Sequence, residues 1–192
     1  MTRRWVAGLG IAALLVGSAL AVATAPNDDG VIAPFPVHGA IGDPVSSRTL
    51  TVTVHGVRLA DALVVKYRDI PTIETNGVWV VVDATTMALL DTAGLGNIEL
   101  RIGDTRYRVS DALPAPTPLQ LNFGADVPQR GMLVFELPSE ALDQPAAARA
   151  ELYFLPRLDS SLDTVPVIGV DLSGLEVLPS IRIDEVAVVD AR

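Results

Sequence analysis

Beyond residue 37 the chain alternates between apolar and polar positions with a period of two, in short runs separated by turn residues. Residues 49–54 place threonine on one face and aliphatic side chains on the other, which is typical of a half-buried strand. Residues 78–85 are apolar on both faces, with Trp79 inside the run, which favours a central strand covered on both sides. The pattern therefore predicts a protein built from strands.

Residues 97–109 predict a β-hairpin together with its register. Gly103 and Asp104 form a two-residue loop of the kind that joins antiparallel strands. Counting outward from this loop places the apolar side chains on one face and the charged ones on the other, so pattern and register agree. The expected pairs are Ile102 with Thr105, Leu100 with Tyr107 and Ile98 with Val109 on the apolar face. On the other face they are Glu99 with Arg108, an opposite-charge pair, and Arg101 with Arg106, a like-charge pair suited to a solvent-facing edge.

Further short strands are predicted along the rest of the chain, and Ser139 is predicted to cap one helical turn over residues 139–144. Seven or eight short strands predict an all-β, immunoglobulin-like antiparallel β-sandwich over residues 38–178. Residues 179–192 are either a C-terminal strand or a tail. The additional strands are expected at residues 119–123, 132–137, 150–155 and 165–172, and residues 181–189 form a last strand or fray.

The N-terminal region predicts one hydrophobic membrane segment. Residues 5–25 carry no charge, and 21 residues at ~1.5 Å each span about 31 Å, close to the hydrocarbon core of a bilayer. Arg3 and Arg4 precede the segment, and Asp28 and Asp29 follow it. The positive-inside rule makes residues 1–4 a cytoplasmic stub and places the rest of the chain outside the cytoplasm.

A cleaved signal peptide is the alternative interpretation of the same region. Its hydrophobic part would be residues 5–16, and the small residues at 19–21 or 21–23 would form the cleavage site. A transmembrane anchor and a signal segment both export the domain, so the two alternatives differ only in whether the protein stays attached. Residues 26–37 contain three prolines and predict a stiff linker.

Composition and charge exclude several classes of function. The chain has no cysteine, which excludes disulfides, thiolate zinc sites, cysteine nucleophiles and a lipoprotein anchor. Two of its 14 basic residues lie in residues 1–25, so 12 basic residues stand against 23 acidic ones in the remainder, a net charge of −11. An acidic domain repels phosphate backbones, so no nucleic-acid partner is expected. A single lysine, Lys66, among these bases is typical of a GC-rich genome.

Three segments carry a resemblance to a known family. Residues 41–45 with 50–58, residues 77–85 (GVWVVVDAT) and residues 130–138 (RGMLVFELP) resemble successive strands of a bacterial family. Its members are secreted or membrane-tethered immunoglobulin-like domains of unknown function, similar in fold to the mycobacterial immunoprotective extracellular protein. The resemblance spans roughly residues 38–156 and implies a β-sandwich outside the cell, with no functional residue to carry over. Residues 87–90 depart from the family, because they continue the apolar run where a turn is usual.

The chain shows no catalytic or metal-binding motif. His38 and His55 lack the spacing of zinc ligands and are interpreted as two surface imidazoles. Residues 171–174, which contain Ser173, predict a turn rather than a nucleophile elbow. The acidic residues at 28–29 and 159–163 do not match a calcium loop and are interpreted as solvated. The sequence thus assigns no catalytic, cofactor-binding or metal-ligating residue and no cofactor.

The segment from residue 61 to residue 76 is the best candidate for a binding loop, because long loops on rigid sandwiches often carry function. The alternative is that residues 63–67 form another short strand. Phe35, between two prolines, is expected to pack on the base of the domain, touch the membrane interface or contact a partner.

These observations predict a non-enzymatic, membrane-anchored extracytoplasmic module that binds an envelope partner. The sequence leaves open an envelope-acting hydrolase that uses carboxylates, and a secreted structural or antigenic protein.

Overall fold

The computed structural model describes residues 14, 17–18, 34–65, 72–90, 95–111, 113, 124–156 and 163–189. The chain divides into two units, Met1–Ala33 and Pro34–Arg192. In the first unit the described residues, Leu14, Gly17 and Ser18, are helical. The remainder of the predicted anchor or signal segment, residues 5–25, lies outside the described residues. Within the described ranges no helix has both the length and the apolar character needed to cross a membrane.

The second unit is built from β-strands that form two sheets. In chain order the strands are β1 (Phe35–Gly39), β2 (Pro44–Ser46), β3 (Leu50–Val65), β4 (Ile73–Ala88), β5 (Leu95–Ile102), β6 (Thr105–Arg108), β7 (Gln129–Leu137), β8 (Ala150–Pro156), β9 (Thr164–Val170), β10 (Val177–Leu178), β11 (Ile181–Ile183) and β12 (Ala187–Val188). Sheet A has the order β1-β9-β8-β5-β6. Sheet B has the order β10-β3-β4-β7-β12, and β2 and β11 also pair with β3.

One buried cluster joins the inner faces of the two sheets. Sheet B contributes Val80 and Phe135, and sheet A contributes Ile98 and Phe154, all of them fully buried. Burial of large apolar side chains from both sheets in one cluster is what holds two layers together. The predicted all-β architecture with two sheets is confirmed.

The prediction of purely antiparallel sheets is wrong. β1 pairs with β9 in parallel, and β10 and β11 both pair with β3 in parallel. Each of these partners is far away in the chain, so the pair is joined by a long crossover, as parallel strands require. Turn residues indicate which neighbouring strands form hairpins, and they do not predict parallel pairing between distant strands.

The predicted linker at residues 26–37 overlaps the first strand. β1 begins at Phe35, whose backbone N–H donates to the carbonyl oxygen of Asp163 at 2.7 Å. Pro36 lacks an N–H, but β1 is an edge strand of sheet A, where a missing donor is tolerated. The sandwich therefore includes Phe35–Gly39, which overlaps the end of the predicted linker, and residues 26–33 lie outside the described residues.

β3 and β4 are each 16 residues long, longer than the strands predicted at residues 49–54 and 78–85. The predicted binding loop at residues 61–76 is wrong at both ends, because β3 runs to Val65 and β4 begins at Ile73. Irregularities at Val54/Gly56 and Ala60/Ala62 break the alternation of β3, which explains why the period-two signal stops early. Residues 66–71 of that predicted loop lie outside the described residues.

The hairpin of β5 and β6 forms with the predicted register, from Ile102 opposite Thr105 to Glu99 opposite Arg108. Gly103 has the positive φ, 58°, that its two-residue loop needs. The charged face differs from the prediction, because Glu99 is only 8% exposed and accepts two hydrogen bonds from Arg101 of its own strand, at 2.9 and 3.1 Å. A carboxylate this buried needs a closely held cation, and Arg101 is held by stacking on a neighbouring ring.

Other predicted elements agree with the structure in part. β7, β8 and β9 confirm the strands predicted at residues 132–137, 150–155 and 165–172. A 3-10 turn forms at Ser139–Ala141, but its N-cap is Pro138 and no side chain caps it, so the assignment of Ser139 as the cap is wrong. A second 3-10 turn, Pro145–Arg149, was not predicted. The strand predicted at residues 119–123 lies outside the described residues.

A second, smaller core lies on the outer face of sheet B. Side chains alternate along a strand, so Trp79 and Val81 of β4 point away from the main core that receives Val80. They pack against Ile181 and Ile183 of β11. Residues 177–189, named here the C-terminal strap, carry β10 and β11, which pair with β3, and β12, which pairs with β7. The region predicted as a last strand or frayed tail is therefore paired into sheet B.

Candidate binding surface

The outer face of sheet B changes from apolar to polar along β4. Trp79 and Val81 are buried under the C-terminal strap, whereas Asp83 and Thr85, the next two side chains on that face, are only partly buried. The polar half forms an open cavity of about 590 Å³, named here the threonine hollow. Its lining residues are Gly42, Pro44, Thr51, Thr53, His55, Thr85, Met87, Pro128, Arg130 and Val189.

The register of three strands brings the lining of the threonine hollow together. Thr53 of β3 lies opposite Thr85 of β4, which in turn lies opposite Arg130 of β7. Thr51 lies opposite Met87 one step further along the same strands. Directly opposed residues on one face have Cβ atoms about 4.5–5.5 Å apart, so these side chains form one continuous surface.

A β-bulge aims His55 at this surface. The register of β3 on β4 shifts between Val54 and Gly56, which leaves His55 as the extra residue without a Cα partner on β4. A bulged residue leaves the regular ladder, and its side chain can be redirected. The imidazole Nε2 of His55 lies 2.8 Å from the hydroxyl oxygen of Thr85, at hydrogen-bond distance. The bulge thus places an imidazole at the centre of the polar half.

Arg130 and Asp83 form a bidentate ion pair at the border of the threonine hollow. The Nε and Nη2 atoms of Arg130 donate to the two carboxylate oxygens of Asp83 at 3.0 and 2.7 Å. The hydrogen bonds from Arg130 hold the pKa of Asp83 below its usual value, although partial burial of the carboxyl opposes this. The charges of Arg130, His55 and Arg58 lower the pKa of Asp83 further. Asp83 is therefore a carboxylate held in its charged form chiefly by Arg130.

The lining of the threonine hollow differs in charge from the chain as a whole, whose formal net charge is −9. No carboxylate is among the described residues that line the hollow, whereas His55 and Arg130 are. Asp83 instead lines a smaller neighbouring cavity of about 230 Å³, together with Asp184 and Glu185 of the strap. Arg130 thus lines both cavities, while the acidic groups line the smaller one and the threonine side chains line the hollow.

A different polar network lies on the outer face of sheet A. The guanidinium of Arg101 lies 3.6 Å from the centre of the Tyr153 ring, and the Tyr153 hydroxyl donates to Glu151 at 3.1 Å. Glu151 also lies 3.7 Å from Nδ1 of His38. Burial raises the pKa of Tyr153, and the neighbouring Glu151 carboxylate raises it further. Glu99 also belongs to this network, because it accepts hydrogen bonds from Arg101. The charged groups of the network contact one another and do not line the threonine hollow.

The two histidines are surface imidazoles, as predicted, and they lie on different sheets. His38 is on β1 of sheet A, and His55 is on β3 of sheet B. Sequence analysis missed the role of the segment around His55, since the redirecting bulge arises from pairing with β4. Gly56, which follows the bulged residue, could have indicated the bulge, because a glycine inside a strand often marks one.

The remaining candidate residues have structural roles. Ser173 donates its hydroxyl to Asp171 at 2.7 Å, and this closes the predicted turn. Phe35 is 58% exposed, so packing on the domain covers less than half of its surface.

Asp163, predicted to lie in a solvated loop, is instead buried. It accepts hydrogen bonds from Nε and Nη2 of Arg48, both at 3.1 Å. This pair links the start of β9 in sheet A to the turn before β3 in sheet B. Of the acidic segment at 159–163, the other four residues lie outside the described part of the chain, as do residues 28–29.

The carboxylates with a shifted pKa do not have the character of a general acid. The pKa values of Asp83 and Asp163 are lowered by hydrogen bonds from arginine, and that of Asp171 is lowered by hydrogen bonds from Ser173. Carboxyl catalysis by proton donation requires a raised pKa. Within the residues that the structure describes, no cluster of three or more histidine or acidic side chains could hold a metal ion.

Comparisons with known proteins give structural neighbours but no family. No protein-family model matches the chain, and no curated protein is similar to it. Similar solved structures include an uncharacterised β-sandwich protein from Clostridium difficile 630, with 11% identity and a TM-score of 0.47 over 70% of this chain and 95% of that one. The yjhA protein from Bacillus subtilis has 15% identity and a TM-score of 0.43 over 69% and 99% of the two chains. A conserved hypothetical protein from Bacillus anthracis has 16% identity and a TM-score of 0.41 over 65% and 93%. At these levels the likeness adds nothing about function.

Proposed function

We propose that the protein is a non-enzymatic binding module of the cell envelope, held outside the cytoplasm by an anchor at residues 5–25. The observation that carries the binding role is the threonine hollow, an open cavity on β3, β4 and β7 whose lining combines polar groups with apolar surface. Ligand sites combine a concave surface with a few convergent polar groups, and Thr53, His55, Thr85 and Arg130 supply such groups here.

The location outside the cytoplasm rests on the uncharged segment between Arg4 and Asp28. The proposed immunoglobulin-like character, similar to the mycobacterial immunoprotective extracellular protein, rests on the three strand patterns in the sequence. It is compatible with two stacked sheets and a central β4. An anchor rather than a cleaved signal keeps the hollow near the envelope, where its partner is proposed to lie.

Location and binding can be tested on the full chain in its native membrane. A reporter fused after residue 192 should be active only outside the cytoplasm, and washed membranes should retain the uncleaved chain. Photo-crosslinking from position 53 should capture an envelope component, whereas crosslinking from position 108, exposed on sheet A, should not. A cytoplasmic reporter or equal capture from both positions would overturn the proposal, as would turnover of an envelope polymer by the purified chain.

A further inference from the structure

We infer that the threonine hollow binds a ligand carrying an oxyanion group, either a carboxylate or a phosphate. This inference rests on the binding role proposed above and adds the chemical class of the ligand. It follows from the donor capacity that Arg130 and Thr53 keep at the hollow, from the absence of a carboxylate among the described residues of its lining, and from the apolar part of that lining.

Arg130 retains donor capacity after pairing with Asp83. Its Nε and Nη2 atoms are engaged, whereas Nη1, which carries two N–H groups, has no acceptor among the described residues. The pair with Asp83 fixes the plane of the guanidinium, so less side-chain entropy is lost when Nη1 binds an acceptor. Thr53 adds a hydroxyl on the same surface, and Thr85 adds one that already lies at hydrogen-bond distance from His55. The hollow is thus rich in donors that suit an acceptor-rich group.

The charge of the lining favours an anion. Arg130 lines the hollow, and its positive charge is shared with the Asp83 carboxylate, to which it donates two hydrogen bonds. Asp83 lines the neighbouring cavity and not the hollow, and no carboxylate among the described residues lines the hollow itself. An oxyanion placed beside Nη1 would therefore gain charge-assisted hydrogen bonds, which are about twice as strong as neutral ones.

The size and lining of the hollow indicate that the oxyanion is part of a larger ligand. Its volume of about 590 Å³ exceeds that of a single phosphate or carboxylate group, and it falls in the range of small-molecule sites. Met87, Pro44, Pro128 and Val189 provide apolar surface around the polar centre. The acidic group would be oriented by Arg130, and the rest of the ligand would contact these side chains.

Two other charged clusters among the described residues do not offer an equivalent site. Arg101 donates two hydrogen bonds to Glu99 and stacks on Tyr153, and Glu151 lies next to the same ring. An anion there would face two carboxylates. Arg48 donates two hydrogen bonds to the buried Asp163. Of these three clusters, the threonine hollow is the one in which an arginine and hydroxyl groups line an open cavity.

The inference can be tested by NMR titration of the full chain in an uncharged detergent at constant ionic strength. Separate titrations use sodium phosphate, sodium acetate and glucose as probes. Signals of Thr53, Thr85 and Arg130 should shift saturably with at least one oxyanion, with a dissociation constant of about millimolar order for so small a probe. Phosphate and acetate distinguish the two sources of the oxyanion, and glucose should cause no saturable shift.

Variants separate the hollow from general charge effects. Arg130→Gln should weaken oxyanion binding by roughly tenfold or more, because a charged donor is lost. Asp83→Asn should strengthen binding, because the competing carboxylate is neutralised. Arg108→Gln, the same charge change on the exposed edge strand of sheet A, is the matched control and should bind as the native chain does. Thr85→Val preserves the shape and charge of the hollow and should weaken oxyanion binding a few-fold. This variant tests the inference even if Arg130→Gln does not fold.

Three results would overturn the inference. Shifts that do not saturate, or that Arg108→Gln reduces as strongly as Arg130→Gln, indicate an adventitious ion only. Unchanged binding in both Arg130→Gln and Thr85→Val places the ion elsewhere. Saturable binding of glucose with no oxyanion binding refutes the ligand class and leaves the proposed binding role intact.

Discussion

The two halves of the outer face of sheet B are built on the same three strands and differ in what covers them. Around Trp79 and Val81 the C-terminal strap buries the surface and forms the second core. Around Thr53 and Thr85 the surface stays open as the threonine hollow. The change occurs at Asp83, where the apolar run of β4 ends. A sheet face is thus covered where its side chains are apolar and remains free for binding where they are polar.

The largest effect is expected in the covered half. Trp79→Ala should lower the free energy of unfolding by about 3–5 kcal/mol, because it removes a fully buried indole from the second core. Urea denaturation followed by circular dichroism measures this loss. Thr53→Val, in the open half, is the matched control and should change stability by less than about 0.5 kcal/mol. Similar losses in the two variants would remove the distinction between the halves.

A smaller effect is expected for the strap itself. Ile181→Ala should cost about 2 kcal/mol, at the low end for such a truncation, because β11 adds only three residues to the edge of sheet B. Hydrogen exchange should become faster for the paired amides of β11 than for those of β8, which lies in the other sheet. Equal acceleration throughout the domain would show that the strap does not open separately.

The smallest effect is expected at the border between the halves. Asp83→Asn should cost about 0.5–1 kcal/mol at pH 7, the usual size for a partly exposed ion pair. Because the folded-state pKa of Asp83 is lowered, the ion pair stabilises fully above the ordinary pKa of aspartate, about 3.9, and this stabilisation is lost as the pH falls through the lowered pKa. The free energies of unfolding of the native chain and the variant should therefore differ at pH 7, and the difference should shrink as the pH is lowered towards 2. Asp184→Asn, in an exposed pair with Arg182, is the control and should differ little at either pH. A difference that persists unchanged at pH 2 would contradict this account.

The parts of the fold that were predicted from the sequence are those determined by residues close together in the chain. The hairpin register followed from Gly103 and the alternation around it, and β4 followed from a continuous apolar run. The parts that were missed depend on distant segments. The bulge at His55 needs β4, and the ion pair of Asp163 needs Arg48, more than a hundred positions away. The threonine hollow needs β3, β4 and β7 together, so the threonine pattern predicted a strand face but no site.

The C-terminal strap also has a consequence for how the domain is made. Residues 177–189 follow β3, β4 and β7 in synthesis, so Trp79 and its neighbours cannot be covered until the strap has emerged. During that interval the nascent chain exposes a hydrophobic surface. Such a surface promotes aggregation and can be bound by chaperones. If the chain is exported as proposed, that surface would remain uncovered until the strap has passed through the translocation machinery.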